Sequence, residues 1–165
     1  MASDNTPSET GSHAPDSDSP ALLDPTDRRP QRIAVIPGDG IGKDVTAETV
    51  KVLEAAGERW DLPLELVHLP WDADRYLETG ETLPDGALEE LRTRYSAIFI
   101  GAFGDPRVPD MKHAADILLG IRFGLDLYIN FRPIKLYDER LCPLVGKGMD
   151  DVDFVVFREN TEGAY

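Results

Sequence analysis

Hydrophobic positions are sparse over 1–31, where Ser, Thr, Pro and Asp dominate. Such a segment buries too little apolar surface to offset its ordering entropy, so a disordered acidic tail is expected there. Beyond it the pattern alternates between two periods. Arg32-Ile33-Ala34-Val35-Ile36 is a β-branched run stopped by Pro37-Gly38, which predicts a buried strand. From Asp44 to Ala56, Val45, Val52, Leu53 and Ala56 recur at helical spacing, with Gly57 as a stop. Leu64 to Leu69 alternates and ends at Pro70, a second strand. Leu88 and Leu91 mark the inner face of a helix from Asp85 to Arg94, and Ala97 to Ile100 forms a third buried strand closed by Gly101. The stretch from Gly101 to His113 has no periodicity and reads as a loop long enough to be functional. A helix follows over Ala114 to Phe123, then strands near Tyr128 to Leu136 and Asp153 to Phe157. Alternating elements of this kind predict an α/β fold with a largely parallel sheet.

Composition narrows the function classes. The chain has 165 residues and a net charge of −14, which disfavours nucleic acid as a partner. No apolar run reaches the roughly 20 residues of a bilayer span, and the N-terminal segment lacks the apolar stretch of a secretory signal. One cysteine, Cys142, precludes an intrachain disulfide and suits a reducing, cytoplasmic setting; without His or Cys neighbours it reads as a small hydrophobe. If such an acidic protein binds an anionic substrate, its site must concentrate positive charge against the background field.

The loop Pro37-Gly38-Asp39-Gly40-Ile41-Gly42 joins a strand to a helix, where glycine-rich loops often approach phosphates. Its spacing is G-x-G-x-G, not the G-x-G-x-x-G of a dinucleotide fingerprint. A P-loop is excluded too, because Gly42-Lys43 is followed by Asp44 and stands one residue too close to Gly38. The alternative is a tight strand-to-helix turn that needs permissive backbone.

Three arginines have informative contexts. Arg122 ends the helix Ile117-Leu118-Leu119-Gly120-Ile121, Arg132 lies in Asn130-Phe131-Arg132-Pro133, and Arg158 follows Phe154-Val155-Val156-Phe157. That run places Arg158 at the carboxyl end of a buried strand, where open α/β sheets hold ligands. A guanidinium donates paired hydrogen bonds to a planar carboxylate, which lysine cannot do. Each arginine taken alone reads first as a surface ion-pair partner.

Together, Ile36-Pro37-Gly38-Asp39-Gly40-Ile41-Gly42, the three arginine segments and Arg158-Glu159-Asn160-Thr161-Glu162-Gly163-Ala164-Tyr165 resemble the isocitrate/isopropylmalate dehydrogenase family, the β-decarboxylating dehydrogenases, over about 32–165. The resemblance implies an α/β/α fold that binds NAD without a Rossmann domain, incomplete in a chain ending at residue 165. It implies that Arg122, Arg132 and Arg158 bind a small 2-hydroxy dicarboxylic acid, with Leu118 and Leu119 lining an apolar pocket for an isopropyl group. Ile41, Gly104 and Asp105 are then cofactor-binding and Tyr165 catalytic. The position seven residues before Arg122, often Glu in isopropylmalate enzymes, holds Ala115 beside Asp116. The expected reaction is NAD-dependent oxidative decarboxylation of 3-isopropylmalate to 4-methyl-2-oxopentanoate, in leucine biosynthesis. The resemblance places the Mg2+ or Mn2+ ligands beyond residue 165, with none in this piece, which is expected to be inactive alone. A cytoplasmic homodimer is implied for the full-length protein. An isocitrate or tartrate dehydrogenase and a non-catalytic regulatory subunit of an NAD-isocitrate dehydrogenase remain open.

Overall fold

The computed structural model describes residues 29–162, so most of the expected tail and the catalytic candidate Tyr165 lie outside the described residues. Strand β1 spans Gln31–Gly38, beginning within the last position assigned to the tail. It is the middle of a three-stranded parallel sheet, between β2 (Leu64–His68) and β3 (Ala97–Ala102). The register sets Ile33 against Leu66 and Ala97, and Val35 against His68 and Phe99. Because successive residues of a strand face opposite sides, Ala34 and Ile36 share one face. There they pack in a core with Ala87 and Leu91 of α3 (Ala87–Arg94) and Ile117 and Ile121 of α4 (Lys112–Gly124). Val35, also fully buried, turns to the other face, which α1 (Ile41–Trp60) covers. The result is the α/β/α layering expected.

Helix α1 departs from its sequence reading in two respects. It runs past Gly57 to Trp60, and Asp61 in left-handed conformation (φ 51°) caps it by donating its backbone N–H to Gly57 O. Its inward stripe is built on Gly42 and Thr46, which are buried, while Val45 and Val52 stand 44% and 67% exposed. The reason is steric: a Cβ on Gly101 would lie 2.7 Å from Thr46 Oγ1 and 2.1 Å from Pro37 O. Only small residues fit between α1 and β3, so Val45 and Val52 turn outward. For the same reason Gly101 lies inside β3 instead of closing it.

Helix α2 (Ala73–Thr79) was not anticipated. Its seven residues are too few to show a period, and its start is set by Asp72, whose side chain accepts from Arg75 N–H at 2.9 Å. The second correction concerns the sheet. Strands β4 (Ile129–Lys135) and β5 (Asp153–Glu159) pair antiparallel in a separate ribbon, joined by a connection that includes a 3-10 turn at Glu139–Leu141. Every residue of β5 is exposed, so Arg158 does not end a buried parallel strand. A continuous apolar run carries no information about strand direction or partner, which is why the expectation failed.

Candidate functional site

Asp39, the acidic residue inside the glycine loop, is the centre of the sheet's carboxyl edge. It is 3% exposed and gathers three donors from three other segments. Oδ1 accepts from Ala73 N–H at the start of α2 (2.7 Å), and Oδ2 from Gly104 N–H after β3 (3.1 Å). His113 Nε2, in the first turn of α4, lies 2.7 Å from Oδ2. A carboxylate receiving two backbone donors acts as acceptor, so Nε2 carries the hydrogen of this third bond. The His113 ring is fully buried, stacked on Tyr76 (5.9 Å, 19°) and edge-on to Phe103 (6.0 Å, 62°).

The glycines around Asp39 answer the question left open by the loop's spacing. A Cβ on Gly42 would stand 2.2 Å from Ala102 O and 2.4 Å from Pro37 O; one on Gly38 would stand 2.2 Å from Ala102 O. These glycines serve close backbone packing between β1, α1 and β3, which is the tight-turn reading. Gly40 differs: at φ 48° it precedes α1, and its nearest neighbour for a Cβ is Gly104 O at 3.6 Å. The glycine loop and the loop after β3 are therefore side by side. Ile41, 68% exposed, and Gly104, at φ 159°, stand together at the carboxyl ends of β1 and β3. Connections leave these two strands toward opposite faces, the place where open α/β sheets take ligands.

An ion-pair chain rims this edge. Lys43 contacts Asp74 (3.0 Å) and Asp72 (3.4 Å), and Arg107 bridges Asp74 and Asp105 at 2.6 Å each. Hydrogen bonding to Asp74 raises the Lys43 pKa, and the Arg107 side chain lowers that of Asp74. Asp105 is held down to about 2, first by the Arg107 guanidinium and then by the Arg107 backbone N–H. Its carboxylate is thus committed to folding its own loop. Lys43 also borders a cavity of about 410 Å³ lined by Pro37, Thr46, His68, Trp71 and Asp72. With one lysine already paired, that cavity offers no cluster of cations for a dicarboxylate.

The arginines lie elsewhere. Arg122 is half-buried in the last turn of α4, with Leu118 and Leu119 37% and 41% exposed on the same helix, outside the core of the described residues. Leu127 N–H donates to Arg122 O (2.9 Å), and Asn160 Nδ2 donates to Leu127 O (3.3 Å). These bonds tie the end of α4 to the end of the ribbon. On the ribbon Asn130 pairs with Arg158 and Arg132 with Val156. Side chains directly opposite or two apart share a face, so Arg132 and Arg158 are diagonal neighbours, roughly 7–8 Å apart at the backbone. Arg132 Nε donates to Asn130 Oδ1 (2.7 Å), which orients its guanidinium along that face. The structure thus groups two predicted arginines on one face and fastens the third's helix end to the same ribbon.

At the end of β5, Glu159 accepts from Thr161 N–H (2.8 Å), Thr161 Oγ1 (2.8 Å) and Glu162 N–H (2.7 Å). The Thr161 backbone bond leads in holding its carboxyl at about 2. The turn that leads toward Tyr165 is organised by this acid. Cys142 is half-buried, its thiol 3.7 Å from Leu144 O. Among the described residues no group of three or more His, Cys, Asp or Glu gathers in metal-binding proximity, and no helix is long and apolar enough to cross a membrane.

The sequence reading missed Asp39, His113, Arg107 and Glu159. One signal for His113 was present: it continues the Ile117–Ile121 stripe at four-residue spacing, an ionisable group at a core position.

By fold, this is an α/β protein built on an open parallel sheet. Residues 32–165 match the profile of the isocitrate/isopropylmalate dehydrogenases. The chain belongs to that family. It is similar to 3-isopropylmalate dehydrogenase of Thermobifida fusca, with 46% identity over 137 residues that cover 83% of this chain and 38% of that protein. The decarboxylating D-malate dehydrogenase of Escherichia coli K12 is also 46% identical, over 136 residues covering 81% of this chain and 37% of its own length. Among solved structures, isocitrate dehydrogenase from Methylococcus capsulatus superposes with a TM-score of 0.60 at 30% identity, over 81% of this chain and 35% of that one. The chain therefore spans less than two fifths of the length of these curated relatives.

Proposed function

We propose that the full-length protein is an NAD-dependent dehydrogenase that oxidises and decarboxylates 3-isopropylmalate in the cytoplasm. The observation that carries this reading is the grouping of Arg132 and Arg158 on one ribbon face, fastened to the end of the helix bearing Arg122, Leu118 and Leu119. Three guanidiniums suit two carboxylates and a hydroxyl, and the exposed leucines suit an isopropyl group. NAD supplies the hydride acceptor for C2 when bound. Ile41 offers an apolar contact for it, and Gly104 keeps the adjoining backbone open, since a Cβ there would meet only Met111 Cε at 3.9 Å. Asp105 would contribute by shaping that loop through Arg107.

The arginines hold the substrate with C2 toward the cofactor. After oxidation the C3–carboxylate bond breaks, carbon dioxide departs with its carbon, and the bonding pair remains as an enolate. Tyr165 gives its phenolic proton to C3. Ligands for the divalent ion are expected beyond residue 165, and assembly as a homodimer is part of the same reading.

D-malate is the second reading, favoured by the 46% identity to the D-malate enzyme. The two readings differ by the side chain on C3. Burying an isopropyl group between leucines is worth about 2 kcal/mol, which predicts a ~30-fold preference in kcat/KM for 3-isopropylmalate over D-malate. Initial rates of NADH formation by the full-length protein with 3-isopropylmalate, D-malate, isocitrate and tartrate, Mg2+ present, decide the matter. Equal rates with D-malate would remove the leucine pocket from the account; preference for isocitrate or tartrate would replace the substrate.

A further inference from the structure

We infer that the buried Asp39–His113 pair is a positioning device that locks the first turn of α4 to the glycine loop and so sets where Arg122 stands relative to Ile41 and Gly104. The inference rests on the proposed function for its catalytic consequence but on geometry for its substance.

Met111 precedes helix α4 in left-handed conformation (φ 54°) and gives it no side-chain cap; the one side-chain bond to its first backbone N–H, from Lys112 N–H to Asp110 Oδ1 (3.1 Å), is exposed to solvent. The helix's other buried anchors, Ala114, Ile117 and Ile121, are apolar. Apolar packing is non-directional, so these residues hold the helix down, and the exposed bond from Arg92 Nη2 to Gly124 O (2.8 Å) steadies only its far end. The Nε2–H to Oδ2 bond of 2.7 Å is directional, and Tyr76 and Phe103 confine the ring from two sides. The same carboxylate fixes the start of α2 and the loop at Gly104, so one group sets three segments against one another.

A purely apolar joint would hold these segments without desolvating a carboxylate, so stability alone gives no reason for the pair. Direction does. Arg122 lies nine residues beyond His113, about 14 Å along the helix at 1.5 Å per residue. A tilt of about 4° at His113 moves Arg122 by about 1 Å, and misplacement of that size can cost as much as a hundredfold in rate.

The test uses the full-length protein. His113→Phe keeps the ring between Tyr76 and Phe103 and deletes the donor; His113→Gln returns an N–H near the Nε2 position. His113→Phe is expected to raise KM for 3-isopropylmalate about tenfold, with KM for NAD within about twofold of wild type, and His113→Gln to recover most of the loss. Amide hydrogen exchange should quicken at Gly104, Ala73 and the first turn of α4 in the Phe variant, remain slow in β1 and β3, and revert in the Gln variant. Unchanged KM and unchanged exchange in His113→Phe would overturn the inference. So would equal worsening of both KM values without rescue by glutamine, the mark of a merely structural residue. If the Phe variant does not fold, Asp39→Asn, which retains an acceptor for Ala73 N–H and removes the one shared by Gly104 N–H and His113, is judged by the split between the two KM values and by the exchange pattern. Should wild type turn over no 2-hydroxy acid, the functional reading fails by itself, and the exchange pattern alone upholds or overturns the positioning role.

Discussion

Around Asp39 the partners Ala73 and His113 are close and shielded from water, with only Gly104 at the surface, whereas along β4 and β5 nearly all side chains stand in solvent. Asp39 is 3% exposed and His113 is fully buried; Phe131 and Phe157, an edge-on pair on the ribbon face opposite Asn130 and Arg158, are 58% and 70% exposed. The first region is fixed by its own residues. The second has a backbone fixed by a seven-residue register, with side chains that the described residues leave uncovered. On the proposed reading the chemistry divides accordingly: the sheet edge would seat the cofactor beside Ile41 and Gly104, and the ribbon would present Arg132 and Arg158 to the substrate.

The largest expected effect breaks the first region by volume. Gly42→Ala places a methyl 2.2 Å from Ala102 O and 2.4 Å from Pro37 O, neither of which can move without displacing β3 or β1. Overpacking of this kind predicts a loss of about 3 kcal/mol in the full-length protein, measured by urea unfolding. Gly80→Ala is the control: nothing lies within 4 Å of the added Cβ, so only the left-handed backbone at φ 74° is penalised, by about 1 kcal/mol. Equal losses for the two would mean that the packing between β1, α1 and β3 is looser than described.

A smaller effect sharpens the comparison through charge. Asp105 has its carboxyl held at about 2 by Arg107, below the unfolded value of about 3.9. A depressed acid stabilises the folded state above its unfolded pKa and loses that contribution as pH falls through its folded pKa. Order in the loop around Gly104 should therefore be constant from neutral pH to about 4 and decline between about 4 and about 2. Arg107→Ala should raise the Asp105 value toward the unfolded one, as read by carboxyl-carbon NMR titration. A titration that Arg107→Ala leaves in place would show that the pair does not organise the loop.

How much of this was legible follows from what periodicity can carry. Strands β1, β2 and β3 and helix α4 were readable because each buries a face set by its own residues. The α1 stripe misled because its contact face is Gly42 and Thr46, small residues that no search for bulky apolar positions selects. The 7-residue helix α2 is shorter than any period. The pairing of Asp39 with His113 joins positions 74 apart, which only the folded chain brings together. The arginines were legible through family-like motifs, but their common frame was not: the apolar run predicts a buried strand ending at Arg158, which lies instead on an exposed antiparallel one.

The central claim is that the ribbon arginines bind substrate while the sheet edge seats the cofactor. Isothermal titration of full-length Arg132→Lys with 3-isopropylmalate and, separately, with NAD tests it most directly. Lysine keeps the charge and loses the forked geometry and the bond to Asn130. Loss of a charge-assisted pair costs roughly 2 kcal/mol, so the substrate Kd should rise ~30-fold. The NAD Kd should stay within about twofold, because no ribbon contact reaches the sheet-edge seat in this account. An unchanged substrate Kd, or parallel weakening of both ligands, would contradict the division.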